Sequence, residues 1–330
     1  DDPENVQDAA FEELHERYAE RARDIILALR GFYIKIGQVG ATRADMVPPQ
    51  YMNALSILQD DVPPLSFDTI RDIVERELGA PLETVFTDFE PRPLGAASIG
   101  QVHKAVLRDS GKPVVVKVQY PKVEGLFRSD VATIRAFCEL AQPAHVPMLD
   151  EIEKQFLTEF DYVGEAEHLV EIADNLAASP YARKVIVPRP VLNLCTRAVL
   201  VMDYIEGPKL HVGLQAYFEK VAAAKGMTVE QLRSQQVRKS EAAEAKASTA
   251  RHIAVQAGIY AQSLASNVAR GTYNWTLGWI FGAVDYVEPL ELLDVDAIME
   301  TLVHVHGHEV LVDGAFNGDP HPGNILLTPD

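Results

Sequence analysis

Val114-Val115-Val116-Lys117-Val118-Gln119 is the stretch on which the fold turns. Its β-branched residues suit a pleated, half-buried surface, so the run reads as a strand. The lysine stands in the middle of it. An unpartnered ammonium is too costly to bury. The strand therefore either lies at a sheet edge, where a lysine guards against stray pairing, or aims its amine at an acid. Just upstream, Arg108-Asp109-Ser110-Gly111 has the composition of a hairpin turn. Before it, Leu94-Gly95-Ala96-Ala97-Ser98-Ile99-Gly100-Gln101-Val102-His103-Lys104-Ala105-Val106-Leu107 reads as strand, small-residue loop, strand. On the functional reading, the small residues Gly95, Ala96, Ala97, Ser98, Ile99 and Gly100 would let a backbone close over a nucleotide while Lys117 reaches its α and β phosphates; the edge-strand guard is the alternative.

Downstream, apolar residues at helical spacing predict a helix over 123–141 and a second from Leu149 to about Ala178. The second carries Glu159, Asp161 and Glu165 on overlapping faces. One of these is a candidate partner for Lys117, and a plain solvated acidic face is the alternative. Val185–Val191 and Ala198–Tyr204 read as strands, ending at Ile205-Glu206-Gly207-Pro208, which has the form of a hinge between lobes. Residues 217–270, rich in Ala, Glu, Lys and Gln, favour long exposed helices. Trp275–Val284 is an apolar aromatic patch, too short to span a bilayer. It suits a buried helix or loop, or a seat at a membrane surface. Asp294–His308 is helical again, and its alternate His304, His306 and His308 spread around the axis instead of forming a metal cage.

The terminal stretch Asn317-Gly318-Asp319-Pro320-His321-Pro322-Gly323-Asn324-Ile325-Leu326-Leu327 reads either as a plain turn, which Asp-Pro and Pro-Gly pairs usually mark, or as the second half of a phosphoryl-transfer site. Asp319 can orient an attacking hydroxyl, and Asn324 on the same loop can hold a divalent metal on the nucleotide phosphates. The prolines and glycines make a sharp turn, and Ile325–Leu327 reads as a strand. At the other end, residues 1–10 are acidic and expected to fray, and Phe11 to about Arg43 form one or two helices. Within them Lys35-Ile36-Gly37-Gln38 places a glycine where helix stability disfavours it, a hint of close approach by another element. Pro48-Pro49 starts a helix through Leu58, Pro63-Pro64 closes it, and Ser66 caps another that runs through Leu78 to Gly79.

The chain has 330 residues, 47% of them apolar, enough for a real core in one large domain or two ordinary ones. A formal charge of −18 argues against nucleic-acid binding. Cys138 and Cys195 are the only cysteines and lie far apart, as structural thiols in a reducing compartment would. No run reaches the eighteen or so apolar residues of a membrane span. The chain opens at Asp1, so its location is not readable.

These motifs, in this order, resemble the UbiB/ADCK-type atypical kinases linked to ubiquinone and other isoprenoid-quinone biosynthesis. Lys35-Ile36-Gly37-Gln38 looks like the family's Lys-x-Gly-Gln signature, and 94–103 like its alanine-rich phosphate loop. Lys117 is similar to the nucleotide lysine and Glu165 to its helix partner. Glu159 with Asp161 resembles the Glu-x-Asp pair, and Asp319 with Asn324 the catalytic loop. The resemblance implies an α+β, protein kinase-like two-lobed fold. It would comprise an N-terminal helical extension (1–90), an N-lobe (91–207) and a partial C-lobe (208–330) with a long helical insertion. It implies binding of ATP and Mg2+, slow ATP hydrolysis and service to quinone-lipid metabolism. Peptide phosphorylation would be blocked by Lys35, with Gln38 beside it, near Glu159 or Asp161. The partners implied are nucleotide, lipid or quinone-pathway enzymes and a membrane surface, in a mitochondrion or plastid or at a bacterial inner membrane. A pseudokinase scaffold using residues 209–300, and a true protein kinase, are the competing readings. Gly95 stands where the family often has alanine. The second metal-binding aspartate is expected after Leu327, beyond Asp330.

Overall fold

The computed structural model describes residues 3–41, 47–59, 62–224, 226–231, 293–318 and 322–328, with 234, 260, 264–268, 270, 274, 285–286 and 320. The chain separates into two compact units, residues 1–205 and 206–330.

The first unit opens with α1 (Pro3–Leu29) and α2 (Gly31–Gly40). The acidic start expected to fray is helical from Pro3. The break between the two helices falls at Arg30 and Gly31, both with positive φ (57° and 53°). A short α3 (Pro49–Leu55) runs into a 3-10 turn over Ser56–Gln59. Next comes α4 (Phe67–Leu78), with the predicted ends: the Ser66 hydroxyl accepts from the Thr69 amide, and Gly79 adopts the left-handed φ of 65°. Then follow α5 (Leu82–Val85) and the strands β1 (Phe86–Phe89), β2 (Gly95–Ala96), β3 (Gly100–Leu107) and β4 (Pro113–Gln119). After them α6 (Val123–Ala141) has the predicted bounds, and α7 (Val146–Leu157), α8 (Tyr162–Ala178) and β5 (Val199–Asp203) complete the unit.

The sheet is antiparallel in the order β1-β3-β4-β5, with β2 paired to the other end of β3. Strand alternation sorts β4 into two faces. Val114, Val116 and Val118 join Ile70, Ile73 and Val74 of α4 in the main core, each of these six at most 3% exposed. Burying an aliphatic side chain of this size stabilises by roughly 1.5–3 kcal/mol. Lys117 therefore belongs to the opposite face, beside Leu200 of β5 and the α8 residues Tyr162 and Ala166. A third cluster, Phe32, Tyr120, Val123, Phe127, Val131 and Phe160, ties α2 to α6.

Three sequence expectations fail in this unit. The helix expected from Leu149 to Ala178 is broken at Thr158–Phe160, a 3-10 turn, and restarts after Asp161, whose side chain caps α8 by accepting from the Gly164 amide. Glu159 and Asp161 thus lie before α8 and not on its face. Val185–Val191 is not a strand; its prolines remove ladder donors, and only Pro190 bridges, to Met202. Strand β1 was not anticipated.

In the second unit, α9 (Leu210–Ala224) and α10 (Val295–His308) are described, the latter capped by Asp294, which accepts from the Ala297 amide. A π-turn follows over Glu309–Asp313. Ile325–Leu327, expected as a strand, makes a single bridge, Leu326 to Lys209, flanked by backbone bonds from Leu210 to Ile325 and from Leu327 to Pro208. Most of the helical stretch expected over 217–270, and the Trp275–Val284 patch, lie outside the described residues.

Candidate functional site

The site grows from the face of β4 that turns away from α4. Lys117 Nζ donates to both carboxylate oxygens of Glu165, each at 2.7 Å. Glu165 reaches it because Asp161 starts α8 one turn earlier, which sets the carboxylate in the first turn, where the helix dipole favours negative charge. Beneath the ammonium, 4.6 Å from the ring centroid, lies Tyr162, fully buried. Burial, with the Glu165 and Glu159 carboxylates, drives the Tyr162 phenol well above its ordinary value. Its hydroxyl has no hydrogen-bond partner among the described residues, nor does that of Tyr120. Burial pushes the Tyr120 phenol up to about 12.

The small-residue loop closes over these two phenols. Ile99 packs against both tyrosine clusters, and its carbonyl accepts from the Tyr120 amide at 2.8 Å. The Ala97 amide donates to the Gly100 carbonyl at 2.8 Å, which curls the loop on itself. Gly100 has no room for a side chain: a Cβ there would sit 2.5 Å from the Val118 carbonyl oxygen and 2.9 Å from the Tyr162 hydroxyl. Gly95 is the opposite case, with nothing within 4 Å of a Cβ. The family's usual alanine would fit there. Ser98 is buried, and Ala96 and Ala97 lie along the loop.

The Lys35 motif is accounted for residue by residue. Lys35 Nζ donates to Glu159 Oε1 at 2.9 Å and lies 5.0 Å over the Phe156 ring. Gly37 gives α2 its close approach, since a Cβ would stand 2.5 Å from Leu58 Cδ1. Gln38 donates to the Leu58 carbonyl at 2.8 Å. Between α2, the loop and α6–α7 is a small cleft lined by Phe32, Lys35, Ile99, Phe127, Phe156 and Glu159, with interior room of about 10 Å3, space for one water.

Lys117 and Glu165 therefore meet, as do Lys35 and Glu159, while Asp161 serves as a helix cap. Asn324 belongs to the second unit, and Asp319 lies outside the described residues. Sequence reasoning gave no role to Tyr162, Gln101 or His103. The only signal for Tyr162 was an aromatic directly after a capping aspartate.

An antiparallel sheet whose strand lysine is gripped by the first-turn glutamate of α8 defines the class: a kinase-like domain of mixed helix and sheet. A family model described as the ABC1 atypical kinase-like domain matches residues 57–225, and the chain belongs to that family. Its relatives include the Arabidopsis thaliana protein named ACTIVITY OF BC1 COMPLEX KINASE 1, chloroplastic. That relative is 36% identical over 197 residues, which are 57% of this chain and 28% of it. The probable protein kinase UbiB of Aliivibrio fischeri is 35% identical over 57% of this chain and 36% of its own. AarF domain-containing protein kinase 1 of Xenopus tropicalis is 33% identical over 60% and 38%. The chain thus spans about a third of the length of these relatives. A solved structure, the Rv3197–erythromycin complex from Mycobacterium tuberculosis, aligns with a TM-score of 0.39 at 28% identity, over 62% of this chain and 52% of that one.

Proposed function

We propose that the chain carries the nucleotide site of an atypical kinase or ATPase that binds Mg2+-ATP in the service of isoprenoid-quinone lipid metabolism. The observation that carries this reading is the Lys117–Glu165 pair, an ammonium held by two 2.7 Å bonds beside a curled loop of small residues. A part-exposed ammonium held by a carboxylate on a helix is a donor prepared for phosphate oxygens. Within the first unit the residues present fit a nucleotide: Lys117 for its α and β phosphates and the backbone of 95–100 for close approach; the family resemblance assigns the metal to Asn324 and the hydroxyl to Asp319. Bound magnesium would neutralise charge developing on the phosphoryl oxygens.

Lys35 extends the reading to substrate choice. Its ion pair with Glu159, two residues before the cap of α8, supports a role for α2 in excluding peptide acceptors from the acidic segment. The relatives' names, one of a bc1-complex activity kinase and one of UbiB, are in keeping with quinone-linked work in a plastid or at a bacterial inner membrane. Contact with lipid or with quinone-pathway enzymes belongs to the same proposal.

The test is magnesium-dependent ATP binding and turnover by the wild-type chain, Lys117→Ala and Asp319→Asn. Weakened binding in the first and loss of hydrolysis in the second are expected. Unchanged binding and turnover in both would overturn the proposal, and lipid or partner binding without any hydrolysis would favour the scaffold instead. Phosphate transfer to a peptide by the unmodified protein would overturn the part assigned to Lys35.

A further inference from the structure

Gln101 and His103, one and three residues past the end of the small-residue loop, are 1% and 0% exposed. Buried polar side chains of this kind need partners, and here every bond is made. The Leu65 amide donates to Gln101 Oε1 at 2.8 Å, and Gln101 Nε2 donates to the Leu65 carbonyl at 3.3 Å. The same Nε2 lies 2.9 Å from His103 Nε2, while His103 Nδ1 lies 2.8 Å from the Glu90 carbonyl oxygen. A carbonyl only accepts, so Nδ1 carries the proton and Nε2 is a bare acceptor. That assignment fixes the amide. Its NH2 must face the imidazole, which leaves Oε1 for the Leu65 N–H.

Leu65 is itself a junction. It follows Pro63, whose carbonyl accepts from Arg30 at the α1–α2 break at 3.0 Å, and it precedes the Ser66 cap of α4. Five residues upstream of Pro63, the Leu58 carbonyl receives Gln38 of the Lys35 helix. One amide side chain therefore fastens the connector that carries α2's contacts to the strand that begins at Gly100.

We propose that Gln101 and His103 are a positioning pair: neutral His103 aims the Gln101 amide, and the amide clasps Leu65, so that the small-residue loop and the Lys35 helix are set together. A proton on His103 Nε2 would put two donors face to face. The amide would have to turn, and both Leu65 bonds would then meet like groups. The ring's other neighbours are Phe67 of α4 and Phe89 of β1, with centroids at 6.2 and 5.3 Å. The Glu90 carboxylate stands 4.0 Å from Lys104. Among the described residues no charged side chain offsets the cost of an imidazolium there, and burial lowers the His103 pKa.

The sign follows from linkage. A histidine neutral in the clasp and free to titrate when it opens binds more protons open than closed. The clasp is therefore fully stable above about pH 6.5 and weakens as pH falls below it. At pH 5.5 an opened histidine is about ten-to-one protonated, so opening should be more frequent than at pH 7.5, with about tenfold as the ceiling.

Hydrogen exchange of the whole chain at micromolar concentration, corrected for intrinsic chemistry, reads this directly and needs no nucleotide. Its failure is thus distinct from failure of the nucleotide reading. The expected result is severalfold faster exchange at pH 5.5 than at pH 7.5, with about tenfold as the ceiling, for peptides covering Leu65 and α2, with α8 unaffected. His103→Asn, which keeps a donor for the Glu90 carbonyl and cannot titrate, should abolish the pH dependence. Gln101→Glu, which offers Nε2 an anion, should reverse its sign. Wild-type exchange at Leu65 that is the same at both pH values would overturn the proposal. So would α2 remaining insensitive while Leu65 responds. Neither of these two results depends on a variant folding.

Discussion

Breaking the Lys117–Glu165 pair from each side in turn, and then from both, tests the geometry on which the site depends. The pair has two 2.7 Å bonds, and its side chains are 27% and 35% exposed. Charge-assisted bonds of this kind contribute about 1.5–3 kcal/mol when buried, and solvent reduces that here. Each stranded partner also keeps some compensation. In Glu165→Gln the ammonium still has the Tyr162 ring beneath it, and in Lys117→Met the carboxylate still lies in the first turn of α8. Each single variant should therefore cost about 1–2 kcal/mol, since it leaves one half-buried charge unmatched. The double variant leaves none. It should cost less than the sum of the two, with a coupling of about 1 kcal/mol. Urea titration would read each single change as a midpoint shift of roughly 0.5 M. Repeating the cycle in about 0.5 M salt separates a seated pair from a surface one, because screening removes the coupling of fully exposed charges. Strictly additive single effects, or a coupling that vanishes in salt, would refute the reasoning.

Three smaller experiments follow from the same packing. Gly100→Ala should cost about 1–3 kcal/mol by thermal or urea unfolding, because the new methyl meets the Val118 carbonyl, a backbone atom that cannot swing aside. Gly95→Ala, facing open space, should leave stability unchanged and serves as the control. Asp161→Ala should cost about 1 kcal/mol by unfolding through loss of the cap on the Gly164 amide; a neutral result would mean that α8 starts some other way. Tyr162→Phe should be neutral or stabilise by up to about 1 kcal/mol, since it removes a buried hydroxyl without a partner and keeps the ring under Lys117. A loss of more than about 1 kcal/mol there would mean that the hydroxyl is bonded in solution.

How legible the chain was depended on whether a residue's role is local. Ser66 and Gly79 bound α4 as read, because a cap hydroxyl and a left-handed glycine act within one turn. The bounds of α6 were equally plain. Asp161 misled because a carboxylate in a helical pattern looks like part of an acidic face, whereas here it ends one helix and begins the next. Val185-Ile186-Val187 has strand composition, yet Pro188 and Pro190 deny it a ladder, so propensity lost to missing donors. That Lys117 needs an acidic partner could be inferred from the cost of a lone ammonium, while the choice of Glu165 among three acids came from the family resemblance. That Gly100 abuts a tyrosine from α8, or that Gln101 holds Leu65, could not. Those contacts join residues 62 and 36 positions apart, which no spacing rule reaches.

The two-sidedness of β4 has a consequence for how the domain assembles. Val114, Val116 and Val118 face the helix above, and the amine faces away. Sliding this strand by one position against its neighbour would exchange the two sets, thrusting the ammonium into oil beside Ile70 and Val74 and away from Glu165. Such a misregistered hairpin would forfeit several kcal/mol by burying an unpaired ammonium. The Lys117 ammonium thus bears on folding as well as on the finished pair with Glu165, because the cost of burying it alone disfavours the alternative alignment.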